Sequence, residues 1–391
     1  MMKDKMISFG GIVQGLAERA AVMKVIKSKW HTSGHECQKL EDELATYTGA
    51  KHCAVVNSGS SANLVALAAL GLAPGSKVLT SGCGFPATLN PILHLGLTPV
   101  LVDYNLPSHN IDLDQVEDKL SKDASIKAII FAHTLGNPVD MNRMSSLQEK
   151  YGIEVIEDCC EALGSTFNNQ HVGTFGKFGT FSFYPSHQIN GLGMGGAIIT
   201  DDAELLLKIK SMRAWGKVVR GPKYGGDHIS KYNNDVHGIP YDDQFTYATS
   251  GWNMQLPDVN AAYARVQMTR LSKFVEQRVE NYNHLSNGLK DLPLISMSVH
   301  ELAKPAYFGF PLTLKGDGRD ALSDHLLAND IKSRPFFAGN ITRHPAYFHL
   351  YQPFNVADYM MSHAMFVGVW HGLKKTHMKR IHKAIKSFFN A

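Results

Sequence analysis

The chain has 391 residues, 44% of them hydrophobic and 19% charged, with a formal net charge of +4. That length suits one large and one smaller domain, and the mild positive excess forms no basic run of the kind that binds nucleic acid. The longest apolar stretch, around residues 64–72, is too short to span a bilayer, the first residues lack a signal peptide's apolar core, and five scattered cysteines oppose a disulfide framework, so a cytoplasmic enzyme without membrane contact is expected.

In chain order, β-branched runs alternate with helical patterns. Strands are expected at 52–56, 77–80, 98–103, 126–132 and 154–158, with helices at 62–70 and 144–151 among them. Such alternation implies an α/β fold with a mostly parallel central sheet flanked by helices. A close strand pair, 180–184 and 196–200, follows around a glycine-rich turn, and then a helix at 203–212. Residues 216–248 read as a long loop. One helical pattern runs from 258 towards 289, a strand is expected at 308–314, and a basic amphipathic helix spans 375–389. The expected division is a large domain of 1–265 and a smaller α+β domain of 266–391, with 1–30 packing on the latter.

Candidate functional residues fall at the ends of successive strands, where open α/β sheets bind ligands. The segment Asn57-Ser-Gly-Ser-Ser-Ala-Asn63 opens a helix directly after a strand. Its small residues and the helix N-terminus suit an anion, although a plain helix cap reads as well. Asp158 ends a strand in the run Ile156-Glu-Asp158, where a turn-forming role competes with pairing to a ring nitrogen. Ser182 and His187 lie in Gly179-Thr-Phe-Ser-Phe-Tyr-Pro-Ser-His187, ahead of Gly191-Leu-Gly-Met-Gly-Gly196. An imidazole titrates near neutrality and can carry a proton. In Gly251-Trp-Asn253 no chemistry is evident by itself.

In this order, from about Trp30 onward, these segments resemble the sugar branch of the aspartate-aminotransferase superfamily (fold type I). The resemblance implies pyridoxal 5'-phosphate, with Gly59 and Ser60 at its phosphate, Phe85 stacked on its ring and Asp158 at the pyridine nitrogen. It makes Ser182 a further phosphate contact. Asn253 is implied to come from a neighbouring subunit, hence a homodimer with shared active sites.

One departure carries the functional expectation: the family's Ser-Phe-x-x-x-Lys has His187 at the lysine position, and Met194 replaces the acidic residue of the following turn. Imidazole cannot hold the cofactor aldehyde covalently. This exchange resembles the 3-dehydratases of nucleotide-linked 4-keto-6-deoxyhexoses, which serve 3,6-dideoxysugar synthesis for surface polysaccharide such as lipopolysaccharide O-antigen. Tyr307-Phe-Gly-Phe-Pro311 and Arg334-Pro-Phe-Phe-Ala-Gly-Asn340 are similar to segments of that subfamily. Arg334 is the expected grip on the carboxylate of glutamate, the amino donor that converts the cofactor to pyridoxamine 5'-phosphate; a structural ion pair is its competing role. One type within the subfamily, acting on CDP-sugars, carries an iron–sulfur cluster. The corresponding stretch here, 215–232, has no cysteine, which implies the cluster-free type that acts on a GDP-sugar. The competing readings are a sugar-nucleotide 4-aminotransferase, a non-catalytic paralogue that binds cofactor or sugar nucleotide, and a cluster-free partner of a separate reductase.

Overall fold

The computed structural model describes residues 6–219, 234–242 and 245–390. Helices α1 (Leu16–Ser28) and α2 (His35–Thr48) lead into β1 (His52–Val56), α3 (Gly59–Ala69), β2 (Lys77–Ser81), α4 (Pro86–His94) and β3 (Thr98–Val102). A short ribbon, β4 (Tyr104–Asn105) with β5 (Asn110–Ile111), precedes α5 (Leu113–Lys122), β6 (Ile126–Ala132), α6 (Met141–Tyr151) and β7 (Glu154–Asp158). A second ribbon, β8 (Thr166–Phe167) with β9 (Gln170–His171), precedes β10 (Phe178–Ser182), β11 (Gly196–Thr200) and α7 (Ala203–Met212). The central sheet has seven strands in the order β1-β11-β10-β7-β6-β2-β3. Only β11 runs against its neighbours. The expected aspartate-aminotransferase-like architecture is therefore present, and the carboxyl ends of β1, β2, β7 and β10 share one edge.

Period-two alternation explains why both faces are covered. Ala54 and Val56 of β1 pack with α3, α4 and α7, together with Val78, Ile130, Ile156 and Ile198. Cys53 and Val55 face the other way, towards Leu40 and Leu44 of α2. Further along that second face, Leu79, Ile129 and Val155 meet α5 and α6.

Several boundaries differ from the expectation. Helix α3 starts three residues earlier because Ser58, in extended conformation, caps it by accepting from Ser61 N. Strand β10 ends at Ser182, its last pairing being Ser182 with Gly196, so Phe183 and Tyr184 belong to the turn. The single helix expected from 258 to 289 is two, α8 (Asp258–Met268) and α9 (Leu271–Leu289). No Gly or Pro marks the break; Arg270 leaves helical geometry at φ −116 and ψ 2, and its guanidinium pairs with the buried Glu18. Within the expected long loop, β12 (Asn234–Val236) and β13 (Ile239–Tyr241) form a hairpin; 220–233 and 243–244, and with them most of the cysteine-free stretch, lie outside the described residues.

After the two-residue β14 (Ala303–Lys304), a second sheet takes the order β15-β17-β16, built from β15 (Gly309–Thr313), β16 (Ser333–Pro335) and β17 (Ala364–Gly368). Helices α10 (Arg319–Ala328), α11 (Asn355–His363) and α12 (Lys375–Phe389) accompany it. The N-terminal segment lies against this sheet: Ile7 bridges to Ile331, and the Phe9 ring packs on Phe308 and Phe366. Helix α1 instead packs on α8.

The edge strand β1 is secured by charge. Glu41, buried in α2, accepts from Val55 N at 3.0 Å, Lys210 Nζ at 2.8 Å and Arg213 Nη1 at 2.6 Å. Arg213 Nη1 also donates to Val55 O at 2.6 Å. Edge-strand polar groups just before Asn57 are thus satisfied without a further strand. Glu41→Ala removes the carboxylate that two buried cations share and is expected to cost about 3–5 kcal/mol, read as a lower urea midpoint at unchanged slope; a loss below ~1 kcal/mol would show that solvent reaches the cluster.

Candidate active site

Three segments converge where β1, β10 and β11 meet the common edge. Gly59 opens α3, and a Cβ there would sit 2.7 Å from both Ser182 Cβ and Cys160 Sγ. A Cβ on Gly196 would lie 2.5 Å from the Ser58 carbonyl carbon. Only glycine permits this closeness. The first helical turn leaves backbone N–H groups without intrahelical partners, so Gly59, the exposed Ser60 and the Ser182 hydroxyl close to Gly59 can serve as donors. Ser182 Oγ is itself held by Tyr184 N at 3.3 Å. This fits a phosphate dianion.

At the end of β7, alternation splits two adjacent carboxylates. Glu157 is fully buried and accepts from His133 Nε2 at 3.0 Å and from the backbone N–H groups of Gly173, Phe175 and Gly176, each at 2.8 Å. His133 Nδ1 accepts from Val139 N at 3.0 Å, which leaves the proton on Nε2. His133, Glu157 and Cys159 could together reach a metal ion, but the first two already have their ligand atoms committed to this hydrogen-bonded knot.

Asp158 goes to the opposite face. Its Oδ2 accepts from Asn63 Nδ2 at 2.7 Å and Thr88 Oγ1 at 2.8 Å, and its Oδ1 from Cys160 N at 3.1 Å. Thr180 Oγ1 donates to Asn63 Oδ1 at 2.5 Å and orients that amide. A carboxylate pinned by α3, α4 and its own turn is fixed in position near the start of α3, suited to a protonated ring nitrogen. Phe85 caps the start of α4 at the same edge, and 57% of it is exposed although it is a large apolar ring. An exposed aromatic at a ligand edge fits a stacking partner.

His187 lies in the turn after β10, with its ring centroid 5.0 Å from that of Phe308. The ring is half-buried, and its Nδ1 is enclosed without a hydrogen-bond partner. Desolvation, and then the Arg278 guanidinium, push its pKa down to about 3. The next residue, Gln188, donates from Nε2 to Glu161 O at 2.5 Å and to Ala306 O at 2.8 Å. Lys177 lies at the far end of β10, paired with Asp202 at 3.3 Å.

The remaining expected residues sit apart. Asn253 is exposed and bridges to Ala214; the adjacent Met254 O accepts from Asn57 N at 2.9 Å, so its backbone runs beside the end of β1. Arg334 is exposed on β16, opposite Phe366. Among the described residues it joins no ion pair, and no contact ties it to Asp158 or Ser182.

Sequence reasoning missed Asn63, Thr88 and Glu161. For Asn63 a signal existed: an amide inside the otherwise apolar run Ala62 to Leu67. Glu161 accepts from Leu135 N at 2.6 Å. Burial, and after it the nearby Asp158 charge, push its carboxyl up to about 8, so at neutral pH it carries a proton and can donate.

Residues 14–386 match the DegT/DnrJ/EryC1/StrS aminotransferase family. The lipopolysaccharide biosynthesis protein RfbH of Salmonella typhimurium is 36% identical, covering 97% of this chain and 91% of its own. The GDP-4-keto-6-deoxy-D-mannose 3-dehydratase of Escherichia coli O55:H7 is 31% identical over 90% of this chain and 92% of its own. Among solved structures, the E. coli GDP-4-keto-6-deoxy-D-mannose-3-dehydratase with bound hydrated PLP superposes with a TM-score of 0.86 at 26% identity, covering 97% of this chain and 99% of that one. With a match over nearly its whole length and relatives above 30% identity, this chain belongs to the DegT/DnrJ/EryC1/StrS aminotransferase family.

Proposed function

We propose that this protein removes the C3 hydroxyl of a nucleotide-linked 4-keto-6-deoxyhexose, using pyridoxal and pyridoxamine 5'-phosphate with glutamate as amino donor. The carrying observation is His187: an enclosed, unprotonated imidazole stands where the family pattern has lysine, and Lys177 is committed to Asp202 at the other end of the strand. The 3-dehydratases among the relatives support this reading, one from Saccharopolyspora spinosa being named for a dTDP-sugar. So does a solved relative described with a trapped PLP-glutamate geminal diamine, at 26% identity and a TM-score of 0.86.

In this reading Gly59, Ser60 and Ser182 hold the coenzyme phosphate, Phe85 covers the ring, and Asp158 keeps the pyridine nitrogen protonated. The bound coenzyme supplies a nitrogen that joins the sugar ketone and an electron-poor ring that accepts an electron pair. His187 accepts a proton at a ring nitrogen and returns one to the departing hydroxyl. Its low basicity rises when anionic groups come near, because opposite charge favours imidazolium. Glu161, protonated beside Asp158, donates to an anionic oxygen in the same pocket. Arg334 grips the glutamate carboxylate with two parallel bonds. Asn253 serves the active site of a second copy, which makes the working unit a homodimer, and the setting is cytoplasmic synthesis of dideoxysugars for surface polysaccharide.

The balance is one sugar oxygen and one glutamate nitrogen: 4-keto-6-deoxyhexose plus glutamate gives 4-keto-3,6-dideoxyhexose, 2-oxoglutarate and ammonia. Incubation with GDP-, CDP- or TDP-linked 4-keto-6-deoxyhexose and glutamate is expected to give a sugar lighter by one oxygen, with ammonia released. A sugar carrying an amine in place of its ketone would establish the aminotransferase instead, and an unchanged sugar a non-catalytic paralogue. His187→Asn is expected to retain coenzyme binding and lose about 10²- to 10⁴-fold in turnover; near-normal turnover would remove the histidine from the chemistry.

Glu161 adds a pH signature. Its pKa is raised from 4.5 to about 8 in the folded chain, so its contribution to stability is complete below 4.5 and fades as pH rises towards 8. Glu161→Gln, measured without coenzyme, is expected to gain about 3–4 kcal/mol over the parent on going from pH 5 to pH 8. Parallel urea midpoints for the two proteins across that range would contradict a protonated Glu161.

A further inference from the structure

The buried stripe of α9 comprises Leu271, Phe274, Arg278, Asn281, Tyr282, Leu285 and Leu289. A guanidinium on such a stripe is costly unless something demands it. Arg278 is fully buried, and among the described residues no carboxylate pairs with it. It donates instead to four backbone carbonyls: Nη2 to Ser186 O at 3.1 Å and His187 O at 2.7 Å, Nη1 to Tyr307 O at 3.1 Å and Phe308 O at 3.3 Å. Those four oxygens belong to the two segments that enclose the imidazole, the turn that carries His187 and the strand entry whose Phe308 ring lies 5.0 Å from it. One turn along the same helix, Tyr282 stacks on Tyr307 at 3.5 Å and 5°, a second grip on the same entry.

We propose that Arg278 is the positioning residue of His187, clamping its turn to the Tyr307–Phe308 segment through four carbonyls and placing a fixed positive charge behind the ring. The planar fork suits this role; an ammonium has three donors and cannot span two segments in the same way. The charge also disfavours imidazolium, so the ring waits unprotonated for its substrate. The other groups around it do not offset that charge. Tyr184, from the same turn, is 6.5 Å away ring to ring. His371, before α12, is itself pushed down to about 3 by burial and by Arg278 and Arg270.

The inference rests on His187 as proton carrier, and its test includes a readout independent of turnover. The ring signal of His187, assigned by its loss in His187→Asn, is followed by NMR against pH in the coenzyme-free full-length chain. In the parent the ring is expected to stay neutral down to about pH 5. In Arg278→Gln its midpoint is expected to climb by at least about one pH unit, with turnover falling ~10-fold or more at an unchanged KM for glutamate. Arg278→Lys keeps the charge but not the fork, and is expected to hold the ring neutral while losing turnover. A folded Arg278→Gln with an unmoved titration, or Arg278→Lys with parental turnover should the glutamine variant not fold, overturns the proposal. A parent that forms no dideoxysugar defeats the dehydratase reading, and the ring titration still judges Arg278.

Discussion

At the end of β7 two neighbouring carboxylates are forced apart by nothing more than the pleat of the strand. Glu157 turns inward and gathers His133 with the backbone between Gly173 and Gly176. Asp158 turns to the other face and gathers Asn63 of α3 and Thr88 of α4. The first carboxylate secures the loop that leads into β10, and the second secures the two helices whose N-termini flank the pocket. A buried carboxylate is tolerable only when so fully hydrogen-bonded. Both carboxylates are thereby held in place by bonds made within the chain itself.

Around that anchor the charges are graded. The start of α3 offers neutral donors at a helix N-terminus, and Glu161 is held protonated by burial and by the nearby Asp158. On the far side the Arg278 charge sits behind His187 and works against a second cation there. Two groups that would both be charged in water at mildly acidic pH are thus kept neutral by one arrangement, a carboxyl able to donate and an imidazole able to accept. Pairs of titratable groups driven apart in this way mark sites of proton transfer.

The second sheet completes the site without contributing a strand to the first. Phe308 packs on His187 and on Phe366 of the second sheet, and the Phe9 ring of the N-terminal segment meets both phenylalanines. Arg334 stands opposite Phe366 in that sheet, so its distance from the pocket depends on how the two sheets meet.

Much of this architecture was legible in the residues. Strand alternation and the placement of Gly59, Asp158, Ser182 and His187 at strand ends are local properties, set by apolar period and by the residue types just beyond each apolar run. The histidine in place of lysine needed no structure to be seen. Contacts between segments far apart in the chain were not legible. Asn63 and Thr88 meet Asp158 across 95 and 70 residues, and Arg278 reaches Ser186 across 92. The break between α8 and α9 falls where Arg270 meets Glu18, with no Gly or Pro to announce it. Local pattern thus determined the elements and the identity of the groups at their ends; the meeting of distant segments decided which of those groups are ionised and how firmly they are held, because desolvation and neighbouring charge arise only once the chain has closed on itself.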